Sequence, residues 1–528
     1  MAARLTSFSK LLITLLILTG IFFGGRYVLQ NTSAGKEMMK KAEEIKQQEN
    51  AAQDTAADTP ARDKNDNVLR VQLVTWGGYA PGLFFNEGAL ANTASQFYKD
   101  YGFQVEFRLE NNLDNALGAW MTDNYDILVQ TADAFPLYTS PAEINNFKPK
   151  AFMQVDWSRG GDAIIAKRGI KTINDLKGKK IAVAVPSPAQ TLLISSLEAA
   201  GLKYEDVTVV TTPDNLKAAE LFRSKDIDAA VVWSPDDILA TRDVPGSSIL
   251  VTTKEQSHII ADIMFAKESF ILANKEKIQN FYEGWMKGVA AMKDPNNRRK
   301  AAKYLAELND LSTDDALGMM DNVYFTSHED NVNFFGLNDN YRGQKGQDLY
   351  EKMSREFVKI GNAETQAPAW RSVIYTGAIS GAASNLIGAT YAAEGAKKFE
   401  SKPTDTSAPA IASKPIRINF ETAQFKLNEN AKTIIDLQFA DIAKTFANTK
   451  VRIEGNTDNV GQRNNNVALS KKRAQSVADY LISEYNMDPK RIIIVGNGPD
   501  KPVQGCESNA SEDCKAKNRR TEFQLIQD

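Results

Sequence analysis

Apolar and polar residues follow two alternating patterns along most of the chain. Between Val68 and about Ala396, short apolar runs such as VLRVQLVTW and KKIAVAV alternate with segments of helical period such as QTLLISSLEAAGL. The short runs predict buried strands, and the longer periodic segments predict helices. Regular alternation of the two predicts an α/β domain with parallel sheets over 67–396.

A second block of the same kind occupies 415–528. Its pattern predicts the element order βαβαββ, with strands IRINF, KVRIEGN, RIIIVGNG and RRTEFQLI and with helices over 430–446 and 465–485. The segment 397–414 between the two blocks is rich in Pro, Ser, Thr and Ala, which predicts a linker. A chain of 528 residues is long enough for two such domains.

The N-terminus carries the run LLITLLILTGIFFGG between Lys10 and Arg26. A run of this length is typical of both a signal-peptide core and a short membrane anchor. If Arg26 snorkels, the apolar span reaches Leu29, so we predict an uncleaved membrane helix within 1–30, with a cleaved signal peptide as the alternative. The basic residues before the run keep the N-terminus inside and export the rest. Residues 31–66 are polar and predict a stalk.

Composition and cysteine content exclude several functions. A net charge of −3 argues against a nucleic-acid partner. Cys506 and Cys514 form no CxxC motif, and His258 and His328 lie far from them, so we expect no metal site and no cofactor. A local disulfide between the two cysteines is predicted instead, which implies an oxidising compartment. No GxSxG or other nucleophile motif accompanies the histidines, so we predict that the protein is not an enzyme.

The middle block resembles a known family. The segments INDLKGKKIAVAVPSPAQTLLISSLEAAGLKYEDVTVV and AAELFRSKDIDAAVVWSPD, in this order, are similar to periplasmic solute-binding proteins of ABC importers, in the branch for nitrate, sulfonates, taurine and thiamine precursors. The resemblance implies two α/β lobes around a cleft that closes on a ligand by a hinge. The first lobe is expected over 68–160 and 260–396, and the second over 161–259.

Residues at the carboxyl ends of the predicted strands are the candidates for binding the solute, because ligands of parallel sheets bind there. They are Trp76, Tyr79, Thr131, Asp133, Ser187, Gln190, Trp233 and, where the chain returns to the first lobe, Asp262. Ser187 precedes Pro188 in the order of a helix start, so the next amides can face an anion. The alternatives are a cap for Ser187, core packing for the tryptophans, and a surface or capping role for the aspartates. No Lys or Arg stands at these strand ends, so an amine-containing or neutral aromatic ligand competes with an anion.

The tail carries the motif GNTDNVGQRNNNVALSKKRA, in which Asp458 follows a strand and Arg473 lies on the next helix. Asn466 and Arg473 are seven residues apart and share one helix face. Together with RIIIVGNG and KNRRTEF, the motif resembles the OmpA-like peptidoglycan-binding domain. The resemblance assigns Asp458 to the ammonium and Arg473 to the carboxylate of a diaminopimelate stem peptide. It adds Asn466 as a hydrogen-bonding partner and Arg520 as a second basic residue. The alternative for Asp458 and Arg473 is a structural salt bridge.

These features together predict a membrane-anchored, cell-wall-tethered periplasmic solute-binding protein. The expected partners are peptidoglycan, a small-molecule solute, the inner membrane and, for import, an ABC permease; sensing is the other downstream role. The alternative is a structural envelope anchor whose middle domain is a ligand-free spacer or a protein-interaction module.

Overall fold

The strands before the tail lie in two lobes. The computed structural model describes residues 66–395, 398–399, 406–418, 420 and 424–527. The strands before the tail are β1 (Val68–Leu73), β2 (Gln104–Leu109), β3 (Ile127–Thr131), β4 (Pro149–Gln154), β5 (Asp156–Ser158), β6 (Asp162–Ala166), β7 (Lys180–Ala184), β8 (Thr208–Thr212), β9 (Ala229–Trp233), β10 (Ser248–Thr252), β11 (Asp262–Lys267) and β12 (Val323–Phe325). The predicted membrane segment 1–30 and, except for Asp66, the predicted stalk 31–66 lie outside the described residues. Among the helices of the described segments, none has the length and hydrophobicity needed to cross a bilayer.

Both large sheets mix strand directions. The first has the order β2-β1-β3-β11-β4 and the second the order β10-β6-β9-β7-β8. Strands β1, β2 and β3 are parallel, as are β7, β8 and β9, but β11 and β6 run antiparallel to their neighbours. The sheets that the alternating pattern predicted to be parallel are therefore mixed, with a parallel core and one antiparallel strand in each. The chain leaves the first sheet after β4, forms the second, and returns as β11, and these crossings reverse the strand direction.

Helices cover the sheets of both lobes. They are α1 (Ala80–Phe85), α2 (Gln96–Tyr101), α3 (Leu113–Met121), α4 (Pro136–Thr139), α5 (Ala142–Asn145), α6 (Pro188–Ala199), α7 (Asn215–Phe222), α8 (Asp236–Asp243), α9 (Glu268–Ala273), α10 (Lys275–Ala291), α11 (Pro295–Asn309), α12 (Thr313–Asp321), α13 (His328–Phe334), α14 (Gly346–Lys359) and α15 (Gly377–Ala382). Aromatic rings fill the core of the first lobe, where Phe281 of α10 stacks on Phe97 at 5.5 Å and contacts Trp285. This packing fixes the helices on the sheet.

The tail is a four-stranded sheet covered by helices. Its elements are β13 (Ala410–Ile416), α16 (Glu429–Gln438), α17 (Ala440–Thr445), β14 (Lys450–Asn456), α18 (Arg463–Tyr485), β15 (Ile492–Gly498), α19 (Glu512–Asn518) and β16 (Thr521–Ile526), with the strand order β13-β16-β14-β15. Strand β13 begins inside the predicted linker 397–414, and the predicted helix 430–446 is divided at Phe439. Helix α19 lies in the loop before the last strand and was not predicted.

Helix α18 packs on the tail sheet through one apolar stripe. Ala474, Val477 and Leu481 are fully buried, at the spacing of successive helix turns. The helix ends at Asn486, whose φ of 50° is left-handed and stops helical hydrogen bonding. The predicted helix over 465–485 therefore agrees with the observed one to within two residues.

The tail contacts the second lobe. The side-chain amide of Asn174 donates to the Ser413 carbonyl at 2.9 Å, and its oxygen accepts from the Ser413 amide at 2.8 Å. Thr449, just before β14, donates to the carbonyl of Glu255 at 3.3 Å. Buried apolar side chains of the second lobe and the tail also form one continuous cluster, which includes Leu197. These contacts lie at the end of the tail sheet where β14 begins.

Candidate functional site

The first candidate site lies where β14 ends and α18 begins. Helix α18 crosses the sheet closely, because a Cβ at Gly455 would stand 2.1 Å from the Ser470 carbonyl oxygen. The Ser470 hydroxyl accepts a hydrogen bond from the Gly498 amide at 3.0 Å. A glycine at the strand end therefore lets the helix lie directly over the loop that carries Asp458.

Asp458 is held in this loop by two hydrogen bonds. Its Oδ1 accepts from the Val460 amide at 3.1 Å, and its Oδ2 accepts from Nη1 of Arg519 at 2.6 Å. Arg519 also contacts Glu512 at 2.8 Å, and 40% of its side chain is exposed, against 13% for Asp458. The carboxylate is therefore oriented by an arginine that solvent, or a ligand, can reach.

Arg473 stands beside this pair. Its Nε donates to the Gln424 carbonyl at 3.1 Å, and its guanidinium lies 4.8 Å from the ring centre of Phe420. Burial lowers the pKa of Arg473, with the Asp458 carboxylate opposing this effect and Arg519 adding to it. The charges of Asp458 and Arg519 both act on Arg473, and we call these three residues the tail charge group.

Asn466 and Arg520, the other predicted residues, brace the loops around this group. The Asn466 side-chain amide donates to the Val460 carbonyl at 3.0 Å and to the Asp458 carbonyl at 3.4 Å. Arg520 donates to Glu522 at 2.7 Å and to the Lys501 carbonyl at 3.1 Å. Of the two adjacent arginines in the KNRRTEF segment, it is Arg519 that contacts Asp458. The sequence reasoning missed Arg519, although the doubled arginine was a visible signal.

The predicted disulfide between Cys506 and Cys514 is confirmed. The loop that it closes leads into α19, whose Glu512 is the second partner of Arg519. Asn518, at the end of α19, is fully buried and donates to the Cys506 carbonyl at 3.0 Å. The disulfide therefore supports one side of the tail charge group.

The second candidate site lies between the two lobes. The hydroxyl of Tyr79 donates to Asp262 at 2.5 Å, and the indole of Trp76 donates to Asp156 at 3.1 Å. The ring of Trp76 packs on the start of the second lobe, since a Cβ at Gly161 would lie 2.2 Å from it. Aromatic side chains of the first lobe therefore bring carboxylates to the boundary between the lobes.

Four carboxyls gather at this boundary, and all of them are nearly or fully buried. They belong to Asp133, Asp156, Asp162 and Asp262, with exposed fractions of 0%, 0%, 3% and 7%. Burial raises the pKa of Asp133 to about 6 and the pKa values of Asp162 and Asp262 to about 7. Burial also raises the pKa of Asp156, and the Asp262 carboxylate adds to that rise. We call these four residues the interlobe acidic cluster; Asp156 and Asp162 were not predicted from the sequence.

The remaining predicted solute residues divide between this cluster and other contacts. Thr131 is buried beside Asp133, and Trp233, which is 41% exposed, lies close enough to Asp162 to lower its pKa. Ser187 starts α6 as predicted, but its hydroxyl donates to the Ala184 carbonyl at 2.8 Å. Gln190 uses both ends of its amide, donating to Tyr204 at 3.0 Å and accepting from Asn362 at 2.9 Å. Within the described segments, no group of three His, Cys, Asp or Glu side chains is placed to hold a metal ion.

Two protein families match the chain, one within the lobes and the other within the tail. Residues 88–298 match the NMT1/THI5-like family, and residues 419–519 match the OmpA family. The chain therefore combines a segment of the NMT1/THI5-like type with an OmpA-type tail, and the predicted fusion is confirmed. The chain therefore consists of a two-lobed mixed α/β domain that contains an NMT1/THI5-like segment, followed by a tail that contains an OmpA-family segment.

Individual relatives match one part or the other. Outer membrane porin F of Pseudomonas aeruginosa is 35% identical over 108 residues, which are 20% of this chain and 30% of that protein. Outer membrane protein A of Bordetella avium is 30% identical over 131 residues, 25% of this chain and 64% of that protein. A Brucella abortus protein named as a binding protein is 33% identical over 140 residues, 26% of this chain and 42% of that protein. The chain spans less than a third of the length of the curated relatives that it matches first.

Solved structures resemble the chain over its lobes. The periplasmic aliphatic sulphonate binding protein SsuA from Escherichia coli has a TM-score of 0.46 and 17% identity, over 65% of this chain and 98% of that one. The alkanesulfonate-binding protein SsuA from Xanthomonas axonopodis has a TM-score of 0.43 and 15% identity, over 59% of this chain and 98% of that one.

Proposed function

We propose that this protein is a cell-wall-tethered periplasmic receptor, which grips peptidoglycan with its tail and binds a small solute between its lobes. The observation that carries the first half is the tail charge group. It offers a carboxylate for an ammonium and two guanidiniums for a carboxylate at one place. The free end of a diaminopimelate stem carries both ligand charges on one carbon, and guanidinium binds carboxylate with two hydrogen bonds.

In this proposal, the Asp458 carboxylate changes its hydrogen-bonding partner when peptidoglycan binds. In this structure Arg519 holds the Asp458 carboxylate. The ligand ammonium takes that position, while Arg473 and the released Arg519 bind the ligand carboxylate. Glu512 retains the second contact of Arg519, so this arginine stays near the site after the exchange.

Peptidoglycan binding need not disturb the contact between the tail and the second lobe, because the two regions lie at opposite ends of β14. The lobe contacts of Thr449 lie before β14, and Asp458 follows its other end. A strand of this length separates the two by roughly 20 Å. Wall binding therefore leaves the contact with the second lobe intact, and the receptor is held near the wall.

Retention of the full-length protein on purified sacculi tests the wall half. Asp458→Asn removes the charge that accepts the ammonium, and Arg473→Ala removes the guanidinium. Hydrogen bonds to charged groups contribute about 1.5–3 kcal/mol, so each change should weaken binding by roughly 10- to 100-fold. Asp479→Asn, at an exposed carboxylate of the same helix, is the control and should be retained like wild type. Equal retention of all four proteins would reject the assignment.

Membrane anchoring through 1–30, import through an ABC permease and sensing remain parts of the proposal. Cell fractionation separates an inner-membrane protein from a released periplasmic one. Copurification of a permease would favour import over sensing. A full-length protein that binds sacculi but no small molecule would instead be the structural anchor predicted as the alternative.

A further inference from the structure

The interlobe acidic cluster is assembled from both lobes. Asp133 follows β3 and Asp262 begins β11 in the first sheet, whereas Asp162 begins β6 in the second. Asp156 lies in the short strand β5, between β4 and β6. The Asp133 carboxylate of the first lobe raises the pKa of Asp162 in the second, so charge is shared across the boundary.

Several polar atoms of this region lack a hydrogen bond although they are buried. Both carboxylate oxygens of Asp133 and Oδ1 of Asp156 have none. The hydroxyls of Thr131 and Thr191, which are 8% and 1% exposed, also have none. These hydroxyls lie close enough to Asp133 to lower its pKa, but not in hydrogen-bond geometry. Buried polar atoms in folded proteins normally have partners, so these point to a missing one.

The sign of the missing partner follows from the charges. Removing a carboxylate from water without a counter-charge is costly, and neighbouring carboxylates increase that cost for one another. A bound anion would add to the repulsion. A bound cation would pair with the carboxylates and restore their ionised form.

The other side chains at the boundary suit an organic cation. Trp76 and Tyr79 pack beside the carboxylates, with their polar atoms already bonded to Asp156 and Asp262. Aromatic faces attract ammonium and guanidinium groups. The free hydroxyl of Thr191 can accept from an N–H of such a group.

We propose that the interlobe acidic cluster binds an organic cation that carries an ammonium or guanidinium group, with Asp133 and Asp262 as its main partners. This inference rests on the proposed receptor function and names the class of solute. It places Asp156 and Asp162 in the binding site, and it excludes nitrate and sulfonates as ligands.

Isothermal titration calorimetry on the full-length protein, dialysed exhaustively, tests the inference with defined probes. Putrescine, agmatine and choline represent organic cations, methanesulfonate and nitrate represent anions, and Mg²⁺ represents a metal. We expect saturable binding of at least one organic cation. Asp133→Asn and Asp262→Asn should each weaken it at least tenfold, whereas Asp226→Asn, at an exposed turn of the second lobe, should leave it unchanged.

Each other result overturns a definite part of the proposal. Binding of an anion or of Mg²⁺ alone would refute the assignment of the solute as an organic cation and leave the receptor function intact. Binding of no probe would overturn both the cation and the solute-binding half of the proposed function. Equal cation affinity in wild type and both cluster variants would show that the cation binds outside the interlobe acidic cluster. Because each substitution removes a buried charge, we expect the variants to unfold at or above the temperature of wild type. If they do, misfolding cannot explain weak binding.

Discussion

Replacing Asp133 by asparagine should stabilise the ligand-free protein relative to wild type. This gain in stability should be larger at neutral pH than at acidic pH. Burial raises the pKa of Asp133 from 3.8 to about 6, so the folded state holds its proton more tightly than the unfolded state. The stability that this group contributes is fully present below pH 3.8 and is lost as the pH rises through about 6. A shift of about two pKa units corresponds to roughly 3 kcal/mol, of which about 2 kcal/mol is lost between pH 4.5 and 8.

The asparagine variant does not titrate at this position and therefore escapes that loss. The titratable groups nearby are Asp156, Asp162, Asp237, Asp262 and Tyr79, and they remain in both proteins. A difference of about 2 kcal/mol changes the Tm of a domain of roughly 330 residues, the size of the two lobes together, by about 3 °C. The Tm advantage of the variant over wild type should therefore be about 3 °C larger at pH 8 than at pH 4.5.

Differential scanning calorimetry of the full-length proteins without ligand measures this difference. Asp226→Asn serves as the control, because it makes the same substitution at an exposed carboxylate outside the interlobe acidic cluster. A Tm advantage for Asp133→Asn that is the same at pH 4.5 and pH 8 would refute the reasoning. It would mean that Asp133 has a partner that stabilises its charge.

Three further changes probe the tail and its contact with the lobes. Gly455→Ala places a Cβ 2.1 Å from the Ser470 carbonyl oxygen and should cost about 1–3 kcal/mol in urea unfolding of the tail, whereas Gly118→Ala, with open space around it, should cost nothing. The double variant Cys506→Ser/Cys514→Ser lacks a short disulfide loop, and its tail should be less stable by about 2 kcal/mol. If dithiothreitol lowers the Tm of wild type and double variant equally, the disulfide does not stabilise the tail. Asn174→Ala leaves the Ser413 backbone without its side-chain partners and should increase hydrogen exchange in β13, while unchanged exchange would mean that other contacts hold the tail in place.

The sequence predicted the elements of the tail well, because their patterns are local. The apolar stripe of α18 and the strand that carries Asp458 have clear periods and matched motifs. The first strand of the tail was predicted at IRINF, but β13 lies earlier, over Ala410–Ile416, and shares only Ile416 with it. Its other residues, including Pro415, have the composition of a linker, and the strand is formed by pairing with β16. Pairing between distant segments is not visible in a local pattern.

The sites were predicted less completely, and for different reasons. Asp458 and Arg473 were predicted because they stand in a recognisable motif. Arg519 and Arg520 are adjacent, and on an extended segment adjacent side chains point to opposite sides. Spacing alone does not say which of the two faces Asp458. Asp156 and Asp162 look like ordinary polar residues at strand ends. Their burial depends on the approach of the second lobe, and no local pattern encodes that approach.

Transfer of solute to the cell wall tests the central claim most directly. Full-length protein is mixed with radiolabelled putrescine and purified diaminopimelate-containing sacculi, and the label that sediments with the sacculi is counted. The account predicts that wild type carries label to the sacculi, and that Asp458→Asn carries at least tenfold less while binding putrescine equally well in solution. Equal sedimented label for wild type and Asp458→Asn would contradict the account.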